Sequence, residues 1–437
     1  KELGVADEWA RLSDLRFQFH IRSNTRFSDG EPILSSDVVF SMERIAQLQK
    51  LPIRCREVED RVVEVDLTEP MPNFVNLLST PPFGIVPKRF VGRYGFGAEG
   101  LVSSGPYRLE MLRVGPERIF VCLTKNRYYW DTANVKLPRA VYIPVRDPDE
   151  RLKVFRTRHS SSGERLHYFL HHGPALRYRE LRDDPEFHPT PVLGTILLVP
   201  NVRKWPFNHP QGRRALSYAL DRNQIMQDIV PYLTVANGLI PEEIVGAVSP
   251  GRQALKPNLE HAKQLLAECG FPNGSGFPPT TLTIHGHVYK DLIAKALSRQ
   301  WKESLGIAVQ VVQASWNQYL ACVQDGHFDL LYETWHSDIC DPSVFIMPLT
   351  SDHPSNHAGY SREKFDVAVE REANKCPTDP LAPEILSAWL HAERLVLDDM
   401  PVIPLWFETH LSMVDAGVKG AHLNRVGILP LKNIELQ

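Results

Sequence analysis

Thr281-Leu282-Thr283-Ile284, residues 291–305, Val309-Gln310-Val311-Val312, residues 318–324 and Asp329-Leu330-Leu331-Tyr332 follow one another without a break. The short runs are rich in Thr, Val, Leu and Ile and have the length of strands, and the longer stretches carry apolar residues at helical spacing. Strand and helix in alternation predict parallel strands joined by crossover helices, an α/β unit with ligand-binding loops at the strand ends.

Working outward, a last helix is expected over 383–397, ahead of an apolar strand Val402-Ile403-Pro404-Leu405-Trp406. Upstream, residues 213–230 read as one amphipathic helix with Leu216, Leu220, Ile225, Met226 and Ile229 on a broad stripe. Residues 259–269 read as a second helix, stopped by Gly270 and Pro272. The segment 206–210, with a proline at each end, looks like a boundary, and before it the texture is β-rich. Tyr107-Arg108-Leu109, Ile119-Phe120-Val121-Cys122-Leu123 and Ala140-Val141-Tyr142-Ile143 predict strands of another sheet. Nearer the start, Leu15-Arg16-Phe17-Gln18-Phe19-His20-Ile21-Arg22 alternates apolar and polar, the pattern of a strand with one buried face. Ser28-Asp29-Gly30 then supplies a turn. A helix capped by Ser35 or Ser36 follows, with Asp37 in its first turn and Val38, Met42 and Ile45 on one face, and residues 62–67 read as a strand.

Composition excludes several classes. The 437 residues are 43% apolar and 23% charged, a globular balance that suffices for about three structural units. A net charge of -3, from 49 Lys+Arg and 52 Asp+Glu, leaves no broad basic surface for nucleic acid. No run of about 18 apolar residues is present for a membrane helix. The 35 prolines predict many fixed turns between short elements. Cys55, Cys122, Cys269, Cys322, Cys340 and Cys376 are scattered without zinc-site spacing and read mostly as small buried hydrophobes. The motifs of nucleotide-binding loops, zinc peptidases and serine hydrolases are absent, so the chain reads as a binding protein and not an enzyme.

An ordered series of short motifs adds a resemblance. Phe19-His20-Ile21-Arg22, Phe27-Ser28-Asp29-Gly30 and Asp37-Val38-Val39-Phe40-Ser41 come first, then Ser104-Gly105-Pro106-Tyr107 and Asn126-Arg127-Tyr128-Tyr129-Trp130. Pro206-Phe207, the run Arg214 to Arg222 (RALSYALDR), Gly270-Phe271-Pro272, Leu305-Gly306-Ile307, Phe328-Asp329 and Trp335-His336-Ser337-Asp338 complete it. In order and spacing the series resembles family 5 of the bacterial extracellular solute-binding proteins, which serve peptide and nickel ABC importers. The resemblance implies an α/β, two-lobed periplasmic-binding-protein fold (type II, cluster C-like) with three domains and a ligand cleft between the lobes. The expected divisions are a small β-rich domain over 1–100, a main domain of the first lobe over 101–205 and 405–437, and a second α/β lobe over 206–404.

The same resemblance implies an extracytoplasmic, monomeric protein that delivers peptides to membrane permease subunits and uses no cofactor. Asp338 stands where the family's peptide-binding members carry an Asp that pairs with the peptide's free α-amino group. A buried ammonium needs such a carboxylate, since either charge alone in a closed site is costly. A turn-forming role ahead of Pro342 is the other reading of Asp338, and Asp341-Pro342 itself reads as a turn. Trp335 is assigned to the ligand site or to core packing. His336 beside Asp338 keeps a nickel or nickel-chelate ligand open, and Tyr107 and Asn201 are candidates either for ligand contact or for structural roles.

Two departures from the family pattern qualify this reading. About fifty residues that relatives carry ahead of Ala10 are missing, including a strand that flanks the ligand. Residues 159–172 lack the family's "G-E-x-D-I" stretch and carry instead His159, His167, His171 and His172. His167 and His171 would share a face if this were helix, but without a firm third ligand they read as a solvated His-rich loop rather than a metal site. The alternative function is the ligand-sensing domain of a cytosolic transcription regulator, which carries this domain behind a DNA-binding head.

Overall fold

The computed structural model describes residues 4–71, 73–89, 101–114, 119–145, 147–157, 166–171, 175–246, 255–286, 288–373 and 381–437. Contacts divide the chain into one unit of Lys1–Phe169, Val414–Asn424 and Ile428–Gln437, and another of Leu170–Met413 and Arg425–Gly427.

In the first unit the alternating run is a strand, β2 (Arg16–Ile21), with Phe17, Phe19 and Ile21 buried and Arg16 and His20 exposed. It lies between β1 (Ala6–Ser13) and β4 (Val62–Leu67), and β3 (Ile53–Glu59) closes an antiparallel sheet of order β1-β2-β4-β3. The helix Ser35–Gln49 covers one face, burying Val38, Met42 and Ile45 against Phe17, Phe19, Val63 and Val65. Its cap differs from the expectation of a serine hydroxyl. Asp37 does that work from inside the first turn, accepting the Leu34 N–H at 3.0 Å and the Lys88 N–H at 2.8 Å. Gly30 takes the predicted turn at φ +94°, and a side chain there would press on the Tyr128 ring at 3.0 Å.

The predicted second sheet is a three-stranded antiparallel one, β5 (Tyr107–Val114), β6 (Ile119–Lys125) and β7 (Arg139–Tyr142). The chain leaves this unit within β8 (Tyr168–His171). Residues 168–171, expected as part of a solvated His-rich loop, form this strand, and His167 directly precedes it. His172 and residues 159–165 lie outside the described residues.

The second unit is built on a large sheet of β9 (Phe187–Pro200), β10 (Thr234–Val235), β11 (Thr280–His285), β12 (Val309–Ala314), β13 (Leu330–His336) and β14 (Ile403–Val414). These run in the order β10-β14-β9-β13-β11-β12. The block that opened the sequence reading is its parallel part, with β11 hydrogen-bonded between β12 and β13. The crossovers are the helices Val288–Leu305 and Trp316–Gln324, the latter started by a Ser315–Gln318 capping box. Each face of the sheet carries a core: Leu330 and Tyr332 of β13 enter one with Trp301 and Trp406, and Leu331 enters the other with Phe345 and Phe365.

β9 and nearly all of β14 belong to the second unit, although the sequence boundaries at 205 and 405 assign them to the first lobe. The prolines of 206–210 follow β9 and do not separate it from the sheet, because β9 is hydrogen-bonded to β13 on one side and β14 on the other. The single helix expected over 213–230 is two, Pro210–Tyr218 and Arg222–Ile229, the second restarted by Asp221, whose side chain accepts the Gln224 N–H at 3.0 Å. In β14 the strand continues well past Trp406, with register shifts on either side of it, between Pro404 and Trp406 and between Phe407 and Thr409. Short strands β15 (Val418–Lys419) and β16 (Glu435–Leu436) pair back in the first unit. Cys55, Cys122, Cys269 and Cys322 are free thiols; Cys376 lies outside the described residues.

Candidate functional site

The C-terminal end of β13 brings together three of the five candidate residues, Trp335, His336 and, just past the strand, Asp338. Strand alternation sends Glu333 and Trp335 to one face and Tyr332 and His336 to the other. Trp335 is half-buried and donates its indole N–H to Glu333 Oε2 at 2.9 Å.

Asp338 follows in a bend. The local turn is made by its neighbours: the Ser337 N–H donates to Leu193 O at 2.9 Å, the Ser337 hydroxyl donates to Ile339 O at 2.5 Å, and Asp341 Oδ1 accepts the Ser343 N–H at 2.8 Å. The turn expected of Asp341-Pro342 is therefore present. Asp338 is exposed, and among the described residues its carboxylate accepts no hydrogen bond. The bend is satisfied without it.

His336 faces Gly194 of β9 across the ladder, and its Nδ1 lies 2.9 Å from Glu408 Oε2. Two features aim Glu408 there. It falls where the β14 register shifts, at a bulge that re-directs a side chain. Position 194 is glycine, and a Cβ at that point would come within 2.5 Å of the same carboxylate oxygen. His410 Nε2 stands 3.7 Å from Glu408 Oε1 on the other side.

Burial alone would raise the Glu408 pKa, but His336 and His410 outweigh it and hold the group down at about 2. Glu408 in turn raises His336 above its ordinary value, against the opposing effects of burial and Lys290. A carboxylate with a depressed pKa stabilises the fold above about pH 4.5 and loses that contribution as pH falls toward 2. A histidine with a raised pKa stabilises below about pH 6.5 and loses it as pH rises through the raised value. Both halves of the pair act together between about pH 4.5 and 6.5. Glu408→Gln is expected to cost about 2 kcal/mol in that window. Thermal unfolding at a series of pH values should show the gap to wild type narrowing on either side.

The other two candidates lie away from this strand end. Asn201 is buried, its amide donating to Gly326 O at 2.9 Å and Phe328 O at 3.2 Å while its carbonyl oxygen accepts the Arg203 N–H. It follows Pro200, which pairs with Leu330, so it sits at the far end of β13 from His336, about 20 Å along the strand. Tyr107 lies in the first unit, buried in a core with Val135, Leu137 and Ile434, and donates its hydroxyl to Leu431 O at 3.3 Å. Glu333 and Glu408 were not anticipated by sequence reasoning. A signal existed for Glu408, a charged residue directly after the apolar run Val402 to Phe407, but the strand was expected to stop at Trp406. Among the described residues no group of three His, Cys, Asp or Glu is placed to hold a metal ion, and no helix is long and apolar enough to cross a membrane.

Comparison with known proteins finds relatives along nearly the whole chain. The periplasmic oligopeptide-binding protein OppA of Salmonella typhimurium is 28% identical over 99% of this chain and 83% of its own. The dipeptide-binding protein DppE of Bacillus subtilis is 24% identical over the same shares. The fold matches a periplasmic oligopeptide-binding protein of Borrelia burgdorferi with a TM-score of 0.84 at 22% identity, covering 99% of this chain and 90% of that one. It also matches Haemophilus influenzae OppA in complex with the peptide RPPGFSPFR, with a TM-score of 0.82 at 21% identity, covering 100% and 90%. The model of the family described as bacterial extracellular solute-binding proteins, family 5, matches residues 2–357, and the chain belongs to that family.

Proposed function

We propose that this protein binds peptides by their free amino end and presents them, outside the cytoplasm, to the permease subunits of an ABC importer. The observation that carries the reading is Asp338: a carboxylate at the C-terminal end of a central strand, exposed, unused by its own loop, and three residues from a half-buried tryptophan. Such a group matches an ammonium, and a charge-assisted hydrogen bond of this kind is among the stronger ones in water. The names of the relatives support the same class of ligand, since OppA and DppE are described as binding oligopeptides and dipeptides. The function needs no bond to be made or broken and no cofactor, and one chain suffices for it.

Titration calorimetry against an equimolar mixture of di- to pentapeptides tests the reading. The expected result is one-to-one binding in the micromolar range or tighter. A flat titration, with no peptide retained in native mass spectra of the gently purified protein, would remove peptide binding from the account.

A further inference from the structure

We infer that Glu333 is a positioning residue that fixes the indole of Trp335 for the ligand, an assignment that rests on the peptide-binding reading above. Glu333 has only a tenth of its side chain exposed, on a face of β13 otherwise committed to the core of Phe345, Phe365 and Trp389. A carboxylate in such a place is costly unless its oxygens are used, and here three elements converge on it. Its Oε2 accepts the Trp335 indole N–H at 2.9 Å. Its Oε1 accepts the Tyr319 hydroxyl at 3.3 Å, from the helix Trp316–Gln324, and lies 3.1 Å from His357 Nδ1.

The loop that supplies His357 is itself held. The Asn356 amide donates to Thr350 O and Tyr360 O, and its carbonyl oxygen accepts the N–H groups of Gly359 and Tyr360. Tyr319 is buried and shares its hydroxyl with Tyr332 O at 3.3 Å. Glu333 is thus clamped from two sides before it meets the indole. An indole has a single donor, so fixing the acceptor fixes the rotation of the ring. Trp335 lies two residues nearer the strand end than Glu333 and three residues before Asp338.

The test joins a spectroscopic readout to a double-mutant cycle. In ¹⁵N–¹H spectra the Trp335 indole resonance is the one lost in Trp335→Phe. Glu333→Gln keeps the shape and weakens the acceptor, and is expected to move that resonance upfield. Peptide affinity should fall about tenfold in Glu333→Gln and by a similar factor in Trp335→Phe, and the double variant should bind no worse than Trp335→Phe alone. Independent, multiplying losses would show Glu333 acting by some other route and overturn the inference, as would an unmoved indole resonance or a Trp335→Phe protein that binds like wild type. Wild-type protein that binds none of the peptides overturns the ligand role through failure of the functional reading. The indole shift in Glu333→Gln distinguishes that case, because it reports the Glu333–Trp335 bond without ligand.

Discussion

Arg222→Leu is expected to destabilise the second unit by about 3–5 kcal/mol, one of the largest losses a single side chain here should produce. Arg222 is 1% exposed, and among the described residues no carboxylate is a hydrogen-bond partner of it. Its guanidinium donates to Pro404 O at 2.8 Å, Ser217 O at 3.0 Å, Ser217 Oγ at 2.8 Å and Leu255 O at 3.4 Å. Burial draws its pKa down to about 9. It therefore ties the end of one helix and the start of the next to β14, the strand that also carries Glu408. Leucine fills part of the volume but takes the guanidinium from Pro404 O, Leu255 O and Ser217 Oγ, while Ser217 O keeps the Leu220 N–H at 3.3 Å; a buried acceptor left unpaired costs about 1–3 kcal/mol. Urea unfolding followed by fluorescence reads the change, and a loss below about 1 kcal/mol would mean that water or a relaxed loop replaces the guanidinium.

Arg222 also shows what kind of information the sequence withholds. Its place in the Arg214 to Arg222 run marks the family, but a one-dimensional pattern reads an arginine as exposed, and nothing in spacing says that it turns inward where one helix ends and the next begins. The strands and helices of 281–332 were legible because their apolar residues follow the periods of strand and helix, and those periods survive folding. The assignment of β9 was not, since which sheet a strand joins is settled by partners hundreds of residues away: β9 pairs with residues 330–336 and 403–413. Within the site, Asp338, Trp335 and His336 could be named because they fall in one motif of the series that carries the family resemblance. Glu408 could not be linked to His336, because their meeting depends on a bulge in β14 and a missing side chain at Gly194. Tyr107 and Asn201 were named from the family resemblance alone, and both are tied to the backbone by their own hydrogen bonds.

The second large effect concerns Asp338 and the amino terminus of the bound peptide. A carboxylate that accepts no hydrogen bond among the described residues and receives an ammonium on binding should lose about a hundredfold in affinity, close to 3 kcal/mol, when either charge is removed. Asparagine at 338 keeps the size and part of the hydrogen bonding but not the charge. Acetylation of the peptide removes the ammonium while leaving its main chain available. If the two charges meet, the two losses describe one interaction and do not add. The bend that carries Asp338 is held by Ser337 and Asp341, so the Asp338→Asn protein should unfold at the same temperature as wild type.

The most direct measurement is calorimetric titration of wild type and Asp338→Asn with a tripeptide bearing a free or an acetylated amino terminus. The account predicts tight binding in only one of the four combinations, wild type with the free amine, and equally weak binding in the other three. An Asp338→Asn protein that binds as tightly as wild type, or that still prefers the free amine by the same factor, would contradict it.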